Sequence, residues 1–385
     1  MLTTILDNLK KAKFNRYELA GSLGDLGTFL PLLVGMAATN GLDFAAGLFF
    51  AGFFNLVTGL TFSLPMAVQP MKAIAAVAIS EGLSVPQILA AGIIVSVFIF
   101  LIGLSGAVSW LNRMIPKSVI RGIQLAVGLS LLMKGIQMIG NAKNLFGLDS
   151  LSTGIVTFLA VLVSFHFRKI PVAILVFIAG MLIAAHTAST QLHTTEFHLW
   201  FPHLYQLQLS DFVSAFPRAA LPQIPLTLLN SVIAVCALSA DLFPDRPLQP
   251  KKVAISVGLM NLVSAWFGGM PMCHGAGGLA GQHHFGARTN GSIIFLGVVK
   301  MILAISMGSA FGILCASFPL TILGVMLSFS GLSLALVSRD QSDKVNAFVM
   351  LVTAGVSLAL NHIAIGLVVG LVISLGINKK IFRFE

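Results

Sequence analysis

In the stretch SLPMAVQPMKAIAAVAIS, residues 63–80, two polar side chains interrupt an apolar run. Gln69 stands between Pro65 and Pro70, and Lys72 opens an Ala-rich segment that stops at Ser80-Glu81. A lysine at bilayer depth costs about 3 kcal/mol, so it needs a compensating partner. An anionic ligand is one; the alternative is a side chain that snorkels to the nearer water face. A second polar cluster, Cys273-His274-Gly275-Ala276, begins another short, glycine-broken segment. His274 is of the type that donates to an anion or carries a proton near neutral pH. Asp25, in GSLGDLGTFLP, is a carboxylate sunk in an apolar span. Its chemistry is proton coupling, pairing with Lys72, or a polar contact between helices.

Other constellations carry less. Cys273-His274 and His283-His284 match no zinc spacing, so no metal is expected. Adjacent residues on a helix point apart, which leaves no nucleophile–base pair and no enzyme. Asn290-Gly-Ser292 is a chance glycosylation triplet, and no GxxxxGK[ST] phosphate loop exists. Glu18 is expected as a charge at the membrane boundary, and Lys134 and Lys300 as side chains reaching the interfaces.

The elements that hold these residues follow from composition. Of 385 residues, 57% are hydrophobic and 9% charged, against roughly 25% charged in a soluble domain. The stretches 44–71, 82–112, 170–195, 219–240, 253–287, 301–338 and 345–378 contain no Asp, Glu, Lys or Arg. About 20 residues suffice to span the hydrocarbon, so the chain reads as an all-α polytopic membrane protein of about fourteen segments. A β-barrel would alternate in short segments instead. The net charge of +10 is spread over short loops rather than gathered on a nucleic-acid-binding face.

With the N-terminus inside, the cytoplasmic loops hold Arg113, Lys117 and Arg121; Arg168 and Lys169; Arg246, Lys251 and Lys252; Arg288; and Arg339 and Lys344. The termini add Lys10, Lys11, Lys13, Arg16, Lys379, Lys380 and Arg383, leaving only Lys72, Lys134, Lys143, Arg218 and Lys300 of the 23 elsewhere. Both termini are therefore expected in the cytoplasm of a cell-membrane protein. MLTTILDNLKKAKFNR has no apolar core ahead of its positive charges and reads as an interfacial helix, not a cleavable signal. The three cysteines offer no disulfide framework.

An internal repeat organises the rest. At an offset of 206 residues, GFFNLVTGLTFSLPM (52–66) lies on GLMNLVSAWFGGMPM (258–272), matching Gly52/Gly258, Asn55/Asn261, Leu56/Leu262, Val57/Val263, Pro65/Pro271 and Met66/Met272. Asn and Pro matched inside apolar spans carry the signal. An odd number of segments separates the copies, which makes the repeat inverted. The expected organisation is a cytoplasmic segment 1–16, a first repeat 17–187, an external loop 188–211, a second repeat 212–378 and a cytoplasmic tail 379–385. Segments 70–80 and 274–285 are too short to cross a bilayer. As half-helices of opposite sense they aim their N-termini at one gap, where unpaired N–H groups and dipoles of roughly half a charge favour an anion. Pro70 is expected at the first helical position.

At PMAVQPMKAIAAVAIS (65–80) and GGMPMCHGAGGLAGQHHFGARTNG (268–291) the chain resembles the molybdate transporter family, a branch related to the SulP sulfate permeases. ELAGSLGDLGTFLPLLVGMA (18–37) looks like that family's first span. The resemblance implies a SulP/UraA-like 7+7 inverted-topology repeat. A core of segments one to four and eight to eleven would move against a gate of five to seven and twelve to fourteen. It implies a secondary transporter of molybdate that needs no cofactor and leaves a homodimer open; a coupled proton is expected because a dianion entering a negative-inside cell works against the membrane potential. The STAS domain usual in SulP proteins is expected to be absent. The start Cys-His-Gly-Ala-Gly-Gly replaces a Ser-rich sequence, which turns the expectation away from sulfate. On this reading Gln69, Met71, Lys72 and Ala73 hold the oxyanion from one half-helix. Cys273, His274, Gly275 and Ala276 hold it from the other, and Asp25 or His274 carries the proton. The alternatives are a sulfate, organic-anion or nucleobase permease of the same fold, or an anion channel.

Overall fold

The structure is a computed structural model and describes residues 2–108, 116–164, 172–194, 199–379 and 381. Arg113, Arg168, Lys169, Lys380 and Arg383 of the expected basic set lie outside the described residues, as does the side chain of Asp25. The expected N-terminal helix is α1 (Leu2–Lys11), tied down by Asn8, whose Nδ2 donates to the Leu60 and Thr61 carbonyls. Then come α2 (Arg16–Ser22), a 3-10 turn (Leu23–Asp25), α3 (Leu26–Asn40) and α4 (Phe44–Phe62). Strand β1 (Val68–Pro70) precedes the short α5 (Lys72–Glu81). α6 (Val85–Ser105), α7 (Lys117–Gly140), α8 (Leu151–Ser164), α9 (Val172–Thr187) and α10 (Ser189–Thr194) complete the first half.

The second half opens with a long helix, α11 (Leu209–Leu242), interrupted by π-turns at Phe216–Ala220 and Thr227–Ile233. α12 (Pro250–Ser264), β2 (Met272–His274), the short α13 (Ala276–His284), α14 (Gly291–Ser306) and α15 (Gly308–Ala316) follow. α16 (Leu320–Ala335), a 3-10 turn (Leu336–Asp340), α17 (Lys344–Ala359) and α18 (Ile363–Asn378) end the chain's described helices. Among the described residues five helices are long and apolar enough to cross a membrane, or six if the bent pair α14–α15 is one span.

The two halves pack crosswise. α4 lies on α14, and α12 lies on α6. A Cβ on Gly52 would come within 2.6 Å of the Gly297 carbonyl oxygen, and the reverse holds at 2.6 Å. Gly258, matched to Gly52 in the repeat, likewise lets α12 press on Phe100 of α6. Between apolar helices, where no hydrophobic drive separates protein from lipid, such small-residue crossings supply close packing.

The all-α expectation misses one feature at the centre. β1 and β2 form an antiparallel pair with Val68 opposite His274, Gln69 opposite Cys273 and Pro70 opposite Met272. Non-helical backbone buried among apolar helices must find its hydrogen bonds internally. The repeat's matched asparagines do this work. Asn55 Oδ1 accepts from the Val68 N–H at 2.8 Å, and Asn261 Oδ1 accepts from the Met272 N–H at 2.6 Å. Asn261 Nδ2 also donates to the Met272 carbonyl at 2.6 Å. The asparagines are 206 residues apart, but the strand starts Val68 and Met272 are 204 apart. The ungapped alignment therefore slips by two residues after the asparagines, and its Pro-Met match is not a structural one.

Pro70 is not the first helical residue. It closes β1, and the next residue, Met71, donates its N–H to the Pro271 carbonyl at 2.8 Å. Proline lacks a donor, so it fits a strand end; the helix begins at Lys72 with Met71 as its N-cap. α5 ends at Gly82, which takes the left-handed φ of 70° that favours glycine. Ser84 and Gln87 then form a capping box that starts α6.

Three further expectations are corrected. The expected segment 289–312 bends by 94° after Ser306. Trp200 of the expected external loop sits at the break, its N–H on the Ile305 carbonyl at 3.1 Å and its Nε1 on Asp43 Oδ2 at 2.8 Å. Glu18 is not an exposed interfacial charge: it is buried, and its Oε1 accepts the Arg288 and Thr289 N–H groups that lead into α14, both at 2.9 Å. Lys300 does not reach an interface: it is buried, with its Nζ 3.5 Å from the centre of the Phe29 ring. A cation over an aromatic face is partly compensated for its lost water.

Candidate functional site

Side chains alternate along a strand. The register that places Gln69 opposite Cys273 turns both toward one cavity of about 230 Å3, and it turns their neighbours away. Lys72, Gly275, Ala276 and Gly277 complete the part of the lining supplied by the two strand–helix units. In α5 the residues from Ala73 to Ile79 are buried, whereas Lys72 is partly exposed at the cavity wall.

Met71, Ala73 and His274 do not line the cavity. Met71 and Ala73 are fully buried, and their N–H groups already serve the Pro271 carbonyl and Gln223 Oε1. The expected backbone ligation by this pair is therefore replaced by internal partners. His274 falls on the opposite face of β2 from Cys273. Its Nε2 lies 3.0 Å from Ser256 Oγ, and its ring meets Phe62 edge-on with centroids 5.9 Å apart. Strand periodicity thus turns the His274 side chain away from the cavity. The backbone of Asp25 ends the 3-10 turn whose Gly24 packs directly on Gly281 of α13.

The remaining walls come from α7 and α11, with Leu334 of α16 and Val337 of the turn that follows it. Arg121 and Gln124 of α7, and Gln223, Asn230 and Ser231 of α11, face the same space. Arg121 was expected as a loop charge; it sits one turn inside α7. Its Nη2 is 2.7 Å from Asp340 Oδ2, its Nε is 3.0 and 3.1 Å from the two carboxylate oxygens, and its Nη1 donates to Gln124 Oε1 at 2.8 Å. Lys117 reaches the same carboxylate at 2.8 Å. Two cations and no carboxylate appear among the lining residues. α13 has Gly275 as its N-cap and no side-chain cap, and a Cβ at Gly277 would meet nothing within 4 Å. A helix start with a glycine N-cap, its partial positive charge and a nearby lysine are the features that favour an anion.

The α11 residues were not singled out from sequence. The signal was present: Gln223, Thr227, Asn230 and Ser231 recur at helical spacing in the otherwise apolar LPQIPLTLLNSVIAV. A polar stripe on a membrane helix faces the protein interior or a cavity.

A family model described as a molybdate transporter of the MFS superfamily matches residues 17–131 and 215–334. The chain is 39% identical over 401 residues to Molybdate transporter 2 of Arabidopsis thaliana, covering 93% of this chain and 86% of that protein. The chain belongs to the molybdate transporter family. Molybdate transporter 1 of Chlamydomonas reinhardtii is a more distant relative, 32% identical with 92% of this chain and 90% of that protein covered. In fold, this molybdate transporter family member resembles murine solute carrier 26 member A9, an anion transporter captured facing inward. The TM-score is 0.73 at 16% identity, over 99% of this chain and 71% of the other. The transmembrane domain of the cyanobacterial bicarbonate transporter BicA matches with a TM-score of 0.62 at 15% identity, over 95% and 99%. The family member is thus an integral, multi-pass membrane protein with the solute-carrier-26 fold.

Proposed function

We propose that this protein, a transporter and not an enzyme, is a secondary carrier of molybdate that holds the dianion in the cavity between α5 and α13. The observation that carries the reading is one arrangement: Lys72 and the uncapped start of α13 share a cavity whose lining residues include no carboxylate. The names of its relatives supply the substrate.

The architecture behind the proposal is two inverted repeats of seven segments, 17–187 and 212–378, with both termini in the cytoplasm. The antiparallel strands, the paired asparagines and the crosswise packing of α4 on α14 and α12 on α6 support it. Alternating access then comes from the core around the cavity moving against a gate that includes α7 and α16. A dianion entering a negative-inside cell works against about 2.3 kcal/mol per charge per 100 mV, so a proton travels with it. Asp25 is the proposed carrier; His274 is set aside because its ring faces Ser256.

Uptake of radiolabelled molybdate into a deficient host tests this, with tungstate, sulfate and uracil as competitors. Competition by tungstate but not by uracil is the expected result. Dominant competition by sulfate would transfer the protein to the rival reading of a sulfate permease, and large single-channel currents would make it a channel. Asp25→Asn is expected to flatten the pH profile of uptake; an unaltered profile moves coupling to another group.

A further inference from the structure

Gln223 caps the start of α5 from a neighbouring helix, whereas α13 begins at a glycine N-cap that has no side chain of its own to offer. The Gln223 side chain is 2% exposed. It reaches from α11 so that Oε1 accepts from the Ala73 N–H at 2.8 Å and the Ile74 N–H at 3.4 Å. Its Nε2 donates to Thr227 Oγ1 at 2.8 Å, and Thr227 is itself fully buried. The helix N–H groups can only donate, so the amide oxygen must face them and the NH2 must face Thr227. Pro222 and Pro225 stand on either side, and π-turns flank this stretch of α11. The side chain is thus held at both ends, and it also lines the cavity.

We propose that Gln223 is a specificity-determining residue, a built-in neutral occupant of the amide seat on α5. With that seat filled, the transported oxyanion is confined to the α13 side, and α5 contributes Lys72 rather than its backbone. The inference rests on the reading of the cavity as the oxyanion site and deepens it. An amide oxygen satisfies the α5 N–H groups without cancelling the charge of Lys72. A carboxylate of the same shape would satisfy them better, since a negative charge is favoured at a helix N-terminus. It would also neutralise the lysine and leave the cavity unattractive to anions.

The test is equilibrium binding of molybdate and of sulfate to the purified full-length protein, alongside thermal melting. Gln223→Glu is expected to melt no lower than wild type and to bind molybdate at least tenfold more weakly. Gln223→Ala opens the α5 amides to a second mode of binding, and the ratio of molybdate to sulfate affinity is expected to change at least threefold. A folded Gln223→Glu protein with wild-type affinity overturns the inference, as does an unchanged ratio in Gln223→Ala. If Gln223→Glu does not fold, the Gln223→Ala ratio alone decides. Wild-type protein that binds neither oxyanion brings down the cavity reading and this inference with it. Wild-type binding with unaltered variants brings down only the inference.

Discussion

The two half-helices begin alike in backbone and differently in chemistry. Each follows a three-residue strand held by an asparagine, and each enters its helix from an extended N-cap. At α5 the first residue is a lysine and the first amides are taken by Gln223. At α13 the opening residues are Ala-Gly-Gly, with no side-chain cap. One end lends a full charge on a side chain, and the other lends bare backbone. A near-symmetric frame therefore carries two chemically different helix starts, and on the proposed reading the ligand's charge is met from one side and its oxygens from the other.

Removing the charged side of this contrast should have the largest effect. Lys72→Ala is expected to weaken molybdate binding roughly a hundredfold, the upper range for a hydrogen bond to a charged group at about 3 kcal/mol. Unchanged affinity in a correctly inserted protein would dissolve the asymmetry. The frame can be broken next. Asn261 makes three hydrogen bonds to backbone, whereas Asn55 makes one among the described residues. Asn261→Ala should cost about 2 kcal/mol of stability and Asn55→Ala about 1, read as melting temperatures in detergent; the reverse order would mean that the first repeat carries the strand pair.

On the bare side, Gly277→Ala enters open space. It should raise helix stability by about 1 kcal/mol while narrowing the seat, so a higher melting temperature with roughly threefold weaker binding is expected. Tighter binding would place the anion elsewhere. The smallest effect belongs to Asp340, which holds Arg121 at 2.7 Å beside the cavity. Asp340→Asn removes a negative charge near the site and should strengthen anion binding about twofold at low salt. The gain should vanish as ionic strength rises, and a salt-independent change would point to rearranged packing instead.

Much of this was legible in the residues. Matched asparagines inside apolar spans marked the internal repeat, and the structure shows each accepting a hydrogen bond from the start of a strand. Lys72 and the glycine-broken start at 275–277 marked the cavity, because a charge or a broken helix at bilayer depth must be compensated. The strands themselves were not legible. Three residues are too few for a periodicity, and each strand exists only by pairing with residues about two hundred positions away. From that omission came the misplacement of Pro70, which ends a strand rather than starting a helix, and strand alternation points the His274 side chain away from the cavity. Glu18 and Lys300 look like exposed charges by position, yet Glu18 is buried against the loop before α14 and Lys300 against Phe29 of α3.

By itself the sequence determined the solvent of the protein and the residues that could meet an anion, because hydrocarbon admits charge and broken helices only where something compensates them. Tertiary structure alone decided which of those residues share a cavity. Strand register turned Gln69 and Cys273 inward and His274 outward. A glutamine 150 residues from Ala73 claimed the amides that local reasoning had assigned to the ligand. Orientation and competition for hydrogen bonds are properties of neighbours in space, and a linear string does not carry them.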